Sequence, residues 1–277
     1  MPVRVAIQGQ RGSFHDIAAR QFLGEDIRLV SCETFGDTFA ALAHGQADKI
    51  IVALENSLFG SINQTYDFLL KYKFWISDEL YLHVKQCLIG LPGAELSEIR
   101  EVHSQLPALA QCEAFLDTHM PKAKHVEQHD TAASVAAIKA WDDPSKAAIA
   151  SAEAANLYGL PILASEIETH KQNYTRFVMV ETKPFINEKA NKTSLVLTTS
   201  HKPGALYNAL GVFAGGQMNL TKLQSRPIVG KAWQYMFYMD VSVAAESDEF
   251  KSAVVALKKQ RCTITVLGSY PAGKTTS

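Results

Sequence analysis

The stretch "TITVLGSYPAGKTTS", Thr263 to Ser277, admits two readings that lead to different folds. Gly268, Gly273, Lys274 and Thr275 satisfy G-x-x-x-x-G-K-[ST], the pattern of a phosphate-cradling loop, and an apolar, strand-like run precedes it. A phosphate loop leads from a parallel strand into a helix whose N-terminus holds the phosphates. Here only Thr276 and Ser277 follow Thr275, which leaves no helix for that purpose. "CTITVLGSY" reads instead as the last strand of an antiparallel unit. Residues 272–277 then form a frayed polar tail, with Pro271 and Gly273 stopping the strand. Nucleotide binding is not expected.

Working outward from that strand, residues 193–271 form a compact pattern. "TSLVLTTS" is a strand, and "PGALYNALGVFAGG" is a helix with Pro203 at its start and glycines at its end. "LTKLQSRPIV" and "WQYMFYMDVSV" are strands, and "SDEFKSAVVALKKQ" is an amphipathic helix capped by Ser247. The order βαββαβ is the ferredoxin-like split motif. Such a unit leaves sheet edges free and readily pairs with a second copy.

Residues 183–192 are polar, contain a proline and show no clear period, and are expected to be a linker. Residues 1–182 alternate strand and helix signals. "VRVAIQG" is a buried strand ending in a glycine turn, followed by the helix "SFHDIAARQFLG" with Ser13 as cap and Gly24 as stop. "KIIVAL" is a second buried strand. "WISDELYLHVKQCLIGL" is a strand region, and "LPALAQCEAFLDTH" and "TAASVAAIKAW" are alanine-rich helices. "KAAIAS", "EAANLYG" and "NYTRFVMVE" give strand, helix and strand. The pattern argues for an α/β domain with a mostly parallel sheet, whose ligands sit beyond the strand ends.

Composition narrows the function. The chain has 277 residues, 47% of them hydrophobic and 20% charged, with a net charge of −1. These are values of an ordinary globular protein without the basic bias of a nucleic-acid binder. No apolar run is long enough to span a membrane, and the first residues lack a signal-peptide stretch, so a cytoplasmic location is expected. Cys32, Cys87, Cys112 and Cys262 are widely spaced and expected to be reduced. No metal site and no cofactor are expected. His125 and His129 share a helical spacing but lack a metalloprotease pattern. "GQRGSF" is not a dinucleotide fingerprint, and no G-x-S-x-G elbow supplies a hydrolase nucleophile.

The remaining candidates are polar residues at the ends of apolar strands. Glu55, Asn56 and Ser57 follow "KIIVAL"; a turn with a helix cap accounts for Asn56 and Ser57 as well as a site does. Asn173, Thr175 and Arg176 enter a strand, as site residues or as a polar edge with a surface ion pair. Ser104 and Gln111 are seven residues apart, about two helical turns, and can face one side.

Seven segments in order make the pattern specific. "NYTRF" resembles the Thr-Arg-Phe signature of prephenate dehydratases, and "ALENSLFGSI" resembles that family's Glu-Asn-Ser segment. "GQRGSF", "ALAQC" and "DTAAS" are similar to further family segments. "KPGALYNAL" and "LTKLQSRP" resemble the phenylalanine-binding motifs of the ACT regulatory domain fused to it. The resemblance runs from about residue 4 to residue 270. It implies a two-lobed, periplasmic-binding-protein-like dehydratase domain over 1–182, a linker over 183–192, a ferredoxin-like ACT domain over 193–271 and a tail over 272–277.

The implied substrate is prephenate, a cyclohexadiene with two carboxylates and a C4 hydroxyl; arogenate is the alternative substrate, and a non-catalytic aromatic amino-acid sensor the alternative role. The reaction expels CO2 and the hydroxyl, and aromatisation drives it, so positioning and charge stabilisation suffice. By resemblance, Thr175, Glu55, Asn56, Ser104 and Gln111 are catalytic. Thr175 is a hydrogen-bond donor to the leaving oxygen. Glu55 is a proton source or an orienting group. Ser13, Ser57, Thr131, Asn173, Arg176 and Phe177 are substrate-binding, with Arg176 either forking onto a carboxylate or structural. L-phenylalanine is the implied effector, held by Gly204, Ala205, Leu206, Asn219, Leu220, Gln224, Ser225, Arg226 and Pro227 at an interface between copies, in a homodimer or homotetramer. Three departures stand out. Ser104-Gln105-Leu106-Pro107-Ala108 replaces Ser-His-Pro-Gln-Ala, His15 stands where Ser or Thr is usual, and Gln224 replaces a glutamate.

Overall fold

The computed structural model describes residues 2–276. Its elements, in chain order, begin with β1 (Val3–Gln8), α1 (Phe14–Leu23), β2 (Ile27–Cys32), α2 (Phe35–Ala43), β3 (Lys49–Asn56), β4 (Gly60–Ser61), α3 (Asn63–Tyr72) and β5 (Trp75–His83). Next come β6 (Cys87–Ile89), β7 (Glu101–Ser104), α4 (Leu106–Gln111), α5 (Glu113–His119), β8 (Lys124–Glu127), α6 (Thr131–Trp141), β9 (Lys146–Ala150), α7 (Ala152–Tyr158), β10 (Ile162–Ala164) and β11 (Tyr174–Glu181). The chain ends with β12 (Lys192–Thr198), α8 (Ala205–Gly215), β13 (Leu220–Pro227), β14 (Tyr235–Val241), α9 (Asp248–Lys259), β15 (Thr263–Tyr270) and β16 (Thr275–Thr276). Two compact units result. The first holds residues up to 68, 80–178 and those from 275; the second holds 69–79 and 179–274.

The first unit contains two sheets. In one, the neighbours run β5-β11-β3-β1-β2, with β1 parallel to both β2 and β3. β3 is buried almost throughout because its apolar run is covered on both faces, as in parallel sheets generally. The other sheet runs β10-β6-β9-β7-β8, parallel between β7 and its neighbours and antiparallel at β6. Its faces are packed separately, one by α6 and α7 residues such as Val135, Ile138 and Ala154, the other by α4 and α5 residues such as Leu109 and Leu116. Two sheets correspond to the two lobes expected of the fold class.

Local capping sets where the helices start. Ser13 Oγ accepts from Asp16 N (3.3 Å) at the head of α1, and Asp130 Oδ2 accepts from Ala133 N (3.1 Å) at the head of α6. Gly9, at φ +97°, is required between them: a Cβ there would lie 2.9 Å from Asp130 Oδ1.

The second unit is an antiparallel sheet ordered β13-β14-β12-β15. α8 and α9 bury Ala209, Phe213, Phe250 and Leu257 against it. The ferredoxin-like βαββαβ order is therefore present. The unit also recruits residues 69–79. Gly268 of β15 lies beside Ile76 of β5, where a Cβ would come 2.2 Å from Ile76 O, and a Cβ at Gly273 would come 2.7 Å from Glu79 O. The two glycines of the apparent phosphate loop are thus contact glycines, where two backbones meet too closely for a side chain.

The expected frayed tail is corrected by the same contacts. Gly273 N donates to Glu79 Oε1 (2.9 Å) and Ala272 N to Asn191 Oδ1 (2.6 Å). In the first unit, Thr275 and Thr276 pair in parallel with Tyr81 and Leu82. Lys192, expected to end the linker, opens β12, and its ammonium is buried 2.8 Å from Glu79 Oε1 and 3.8 Å from Asp240 Oδ2. Ser104 and Gln111 do not share a helix face, because Ser104 ends β7 and α4 starts after it. His125 lies on β8 rather than on a helix, and no cluster suited to a metal occurs among the described residues.

Candidate active site

The first unit encloses a cavity of about 470 Å³, a typical volume for a small-molecule site. Thr175 and Phe177 reach it from β11, because side chains alternate faces along a strand. Arg176 lies between them and is not among the lining residues. It is buried, and its Nη1 lies 3.9 Å from Glu55 Oε2, which is also outside the lining.

Asn56, at the end of β3, organises this wall. Its Oδ1 accepts from Leu58 N (2.9 Å) and Phe59 N (3.1 Å), which orients the amide. Its Nδ2 then donates to Asn173 Oδ1 (2.9 Å) and to Thr175 Oγ1 (3.0 Å). The Thr175 oxygen is thereby an acceptor inside the protein, and its own O–H has no acceptor among the described residues. The hydroxyl proton is available to a ligand in the cavity. Asn173 is fully buried behind the wall. Ser57 clasps β11 from outside the lining, its Oγ donating to Gln172 O (3.0 Å) and accepting from Tyr174 N (2.9 Å). Ser104 is also off the lining, where its hydroxyl donates to Ile149 O (2.7 Å) and ties β7 to β9.

The facing wall is built by α1, α4 and α6. Ser13 and Thr131 line the cavity at the heads of α1 and α6, so two helix N-termini open onto it. Gln111 lines it from α4 and accepts from Gln86 Nε2 (3.0 Å). Gln86 is itself in the lining, with its Oε1 sealed and without a hydrogen-bond partner among the described residues. Gln105, Leu106, Pro107 and Ala108 also line the cavity, so the departure seen in the sequence falls on the site itself. Of the residues expected in the site, the structure brings together Ser13, Asn56, Gln111, Thr131, Thr175 and Phe177. Glu55, Ser57, Ser104, Asn173 and Arg176 lie outside the lining.

The electrostatics are unusual for a site expected to take a dicarboxylate. No lysine or arginine lines the cavity, whereas Glu127 and Asp130 do. Burial pushes the Asp130 carboxyl above the usual carboxylate range, against the pull of the Ala133 and Gln10 backbone N–H groups. His15, which sequence reasoning noted only as a departure, lines the cavity with its ring edge-on to Phe177 at 5.0 Å. Burial lowers its pKa to about 4, so the ring is neutral.

In the second unit the expected effector residues are not gathered into one cavity. Ala205 and Leu206 line a cavity of about 160 Å³ at the head of α8, where Gly204 has φ +79°. Leu220, Gln224, Ser225, Arg226 and Pro227 lie on β13, the edge strand, and Asn219 just before it.

Comparison with known proteins places the chain in a family. The prephenate dehydratase family pattern matches residues 5–185. The chain is 36% identical over 284 residues to arogenate dehydratase/prephenate dehydratase 2 of Arabidopsis thaliana, spanning 99% of this chain and 74% of that protein. A prephenate dehydratase from Arthrobacter aurescens, solved in complex with L-Phe, superposes with a TM-score of 0.87 at 30% identity, covering 98% of this chain and 90% of that one. GqqA, described as a novel type of quorum-quenching acylase, superposes with a TM-score of 0.86 at 32% identity, covering 97% and 98%.

Proposed function

The chain belongs to the prephenate dehydratase family, and from that premise we propose that Thr175 attends the leaving hydroxyl of prephenate. Members of the family are lyases that convert prephenate to phenylpyruvate, and this chain is one of them. The bond to the ring carboxylate breaks, releasing CO2, and its electron pair becomes part of the new aromatic ring. The C4–O bond breaks, and the departing hydroxide takes one proton to leave as water.

The observation that carries the assignment is the Asn56–Thr175 hydrogen bond. It occupies the Thr175 oxygen and leaves its O–H for the substrate. A threonine hydroxyl is too weak an acid to deliver a free proton at neutral pH. Its hydrogen bond strengthens as charge builds on the leaving oxygen, which is how a preorganised donor lowers a barrier. A substrate carboxylate is taken by the head of α1, where first-turn backbone N–H groups favour anions; the N–H groups at the head of α6 already serve the Asp130 carboxyl. Arg176 and Glu55 support β11 and β3 from behind rather than touching substrate. Replacing Thr175 by Val tests the role: kcat for prephenate should collapse while the fold persists.

Glu127, on a lining that holds no lysine or arginine, favours a second reading in which arogenate, which carries an ammonium, is also accepted. Assays with both substrates separate the two. Amide hydrolysis of the kind described for GqqA is less well served. Two imidazoles line the cavity: His15 has Nε2 taken by Ala53 N, and neither it nor His129 pairs with a hydroxyl among the described residues.

The second unit is proposed to be an ACT domain that senses L-phenylalanine. The head of α8 supplies N–H groups for a carboxylate, and the free edge β13 carries Gln224 to Pro227 toward a second copy of the chain, giving a homodimer or homotetramer. No helix among the described residues is long and apolar enough to cross a membrane, and a cytoplasmic site of action is proposed.

A further inference from the structure

His15 occupies the second position of α1, and its ring is held by three contacts. It packs edge-on to Phe177 (5.0 Å, 84°) and against Phe35 (5.7 Å). Its Nε2 accepts from Ala53 N at 3.3 Å. A backbone N–H can only donate, so Nε2 carries no proton, and in a neutral ring Nδ1 must carry it. Nδ1 has no acceptor among the described residues, nor is it sealed away from solvent, and the residue lines the cavity.

We propose that His15 is a substrate-contacting residue that donates a hydrogen bond from Nδ1–H to an oxygen of the substrate. The proposal rests on the dehydratase reading of the same cavity. The donor is fixed in place by the Ala53 bond and the two aromatic rings, so little reorganisation accompanies binding. Prephenate suits such a group, since its carboxylates and keto oxygen only accept. In a cavity lined by no lysine or arginine, a neutral N–H adds to Thr175, Ser13 and Thr131 as a donor without adding charge. His15 is a binding and positioning group here. As an acid a neutral imidazole is far too weak to protonate the leaving oxygen.

Two substitutions separate this role from a structural one. In His15→Asn the amide nitrogen stands near the Nδ1 position, so the donor is kept and the acceptor for Ala53 N is lost. In His15→Gln the amide oxygen reaches toward the Nε2 position, so the acceptor is kept and the donor lost. A donor role puts activity and stability in opposite orders. His15→Gln should keep the higher Tm yet lose about tenfold or more in kcat/KM, chiefly through KM, as expected for a lost hydrogen bond to a charged group. His15→Asn should have the lower Tm and the higher kcat/KM of the two. If kcat/KM follows Tm, with Gln above Asn, His15 is only a structural acceptor and the proposal fails. Wild-type turnover of prephenate, measured alongside, reports separately on the dehydratase reading.

Discussion

Asn56 donates an amide hydrogen to the hydroxyl oxygen of Thr175, 119 residues further along the chain, at 3.0 Å. One side chain thus joins the end of β3 to the start of β11 and decides which way the threonine proton points. Thr175→Val keeps the volume and removes the donor. The expected loss is about a hundredfold or more in kcat, with KM little changed, while Thr175→Ser keeps much of the rate. Asn56→Asp cannot donate to Oγ1 and should lower kcat as well. Steady-state kinetics with prephenate check both, and an unchanged rate in Thr175→Val would remove the hydroxyl from the mechanism.

The His15 ring gives the stability a pH dependence of known sign. Its pKa is about 4 in the folded chain, against the ordinary 6.5 expected when unfolded. Between these values the unfolded state binds the extra proton. The contribution is therefore fully present above pH 6.5 and is lost as the pH falls through 4, by roughly 3 kcal/mol in all. Chemical denaturation of wild type and His15→Gln from pH 7 to pH 4 should show the gap shifting in favour of the variant as the pH drops. Parallel curves would mean that His15 is not buried in its neutral form.

Lys192 is buried against Glu79 and Asp240, two carboxylates sharing one ammonium. Lys192→Met leaves both carboxylates without it and should cost about 3–5 kcal/mol in urea denaturation. A change below 1 kcal/mol would show that the cluster is solvated. The same contact makes truncation near residue 190 a poor test of regulation, since it would remove the Lys192 ammonium from Glu79.

Gly268 and Gly273 are explained by close backbone approach. Gly268→Ala places a Cβ 2.2 Å from Ile76 O and should destabilise the chain by at least about 1–3 kcal/mol. Lys274→Ala should change neither stability nor turnover. A nucleotide-binding reading requires the reverse, with loss of ATP affinity on replacing Lys274, and equilibrium dialysis with ATP should find no binding to lose.

Much of this fold is legible in the residues. Buried runs such as "KIIVAL", and caps such as Ser13 and Ser247, act locally and mark their own elements. The assembly of Asn56, Thr175, Gln111, Ser13 and Thr131 was expected from the ordered segments rather than from spacing. The misplacements have physical causes. Arg176 follows Thr175 and must therefore face away on a strand, a rule the sequence contains. Ser104 serves Ile149, a partner 45 residues distant that only the pairing of β7 with β9 reveals. Gln86 was hidden inside a strand-like region. The recruitment of residues 69–79 by β15 is long-range, and its one local trace is a glycine within a strand at Gly268.

The central claim is tested most directly by incubating the purified chain with prephenate at neutral pH and following phenylpyruvate, with and without L-phenylalanine. The account predicts phenylpyruvate formation without added metal or cofactor, slowed about a hundredfold or more in Thr175→Val and reduced by L-phenylalanine in the wild type. No phenylpyruvate from wild-type protein would contradict it.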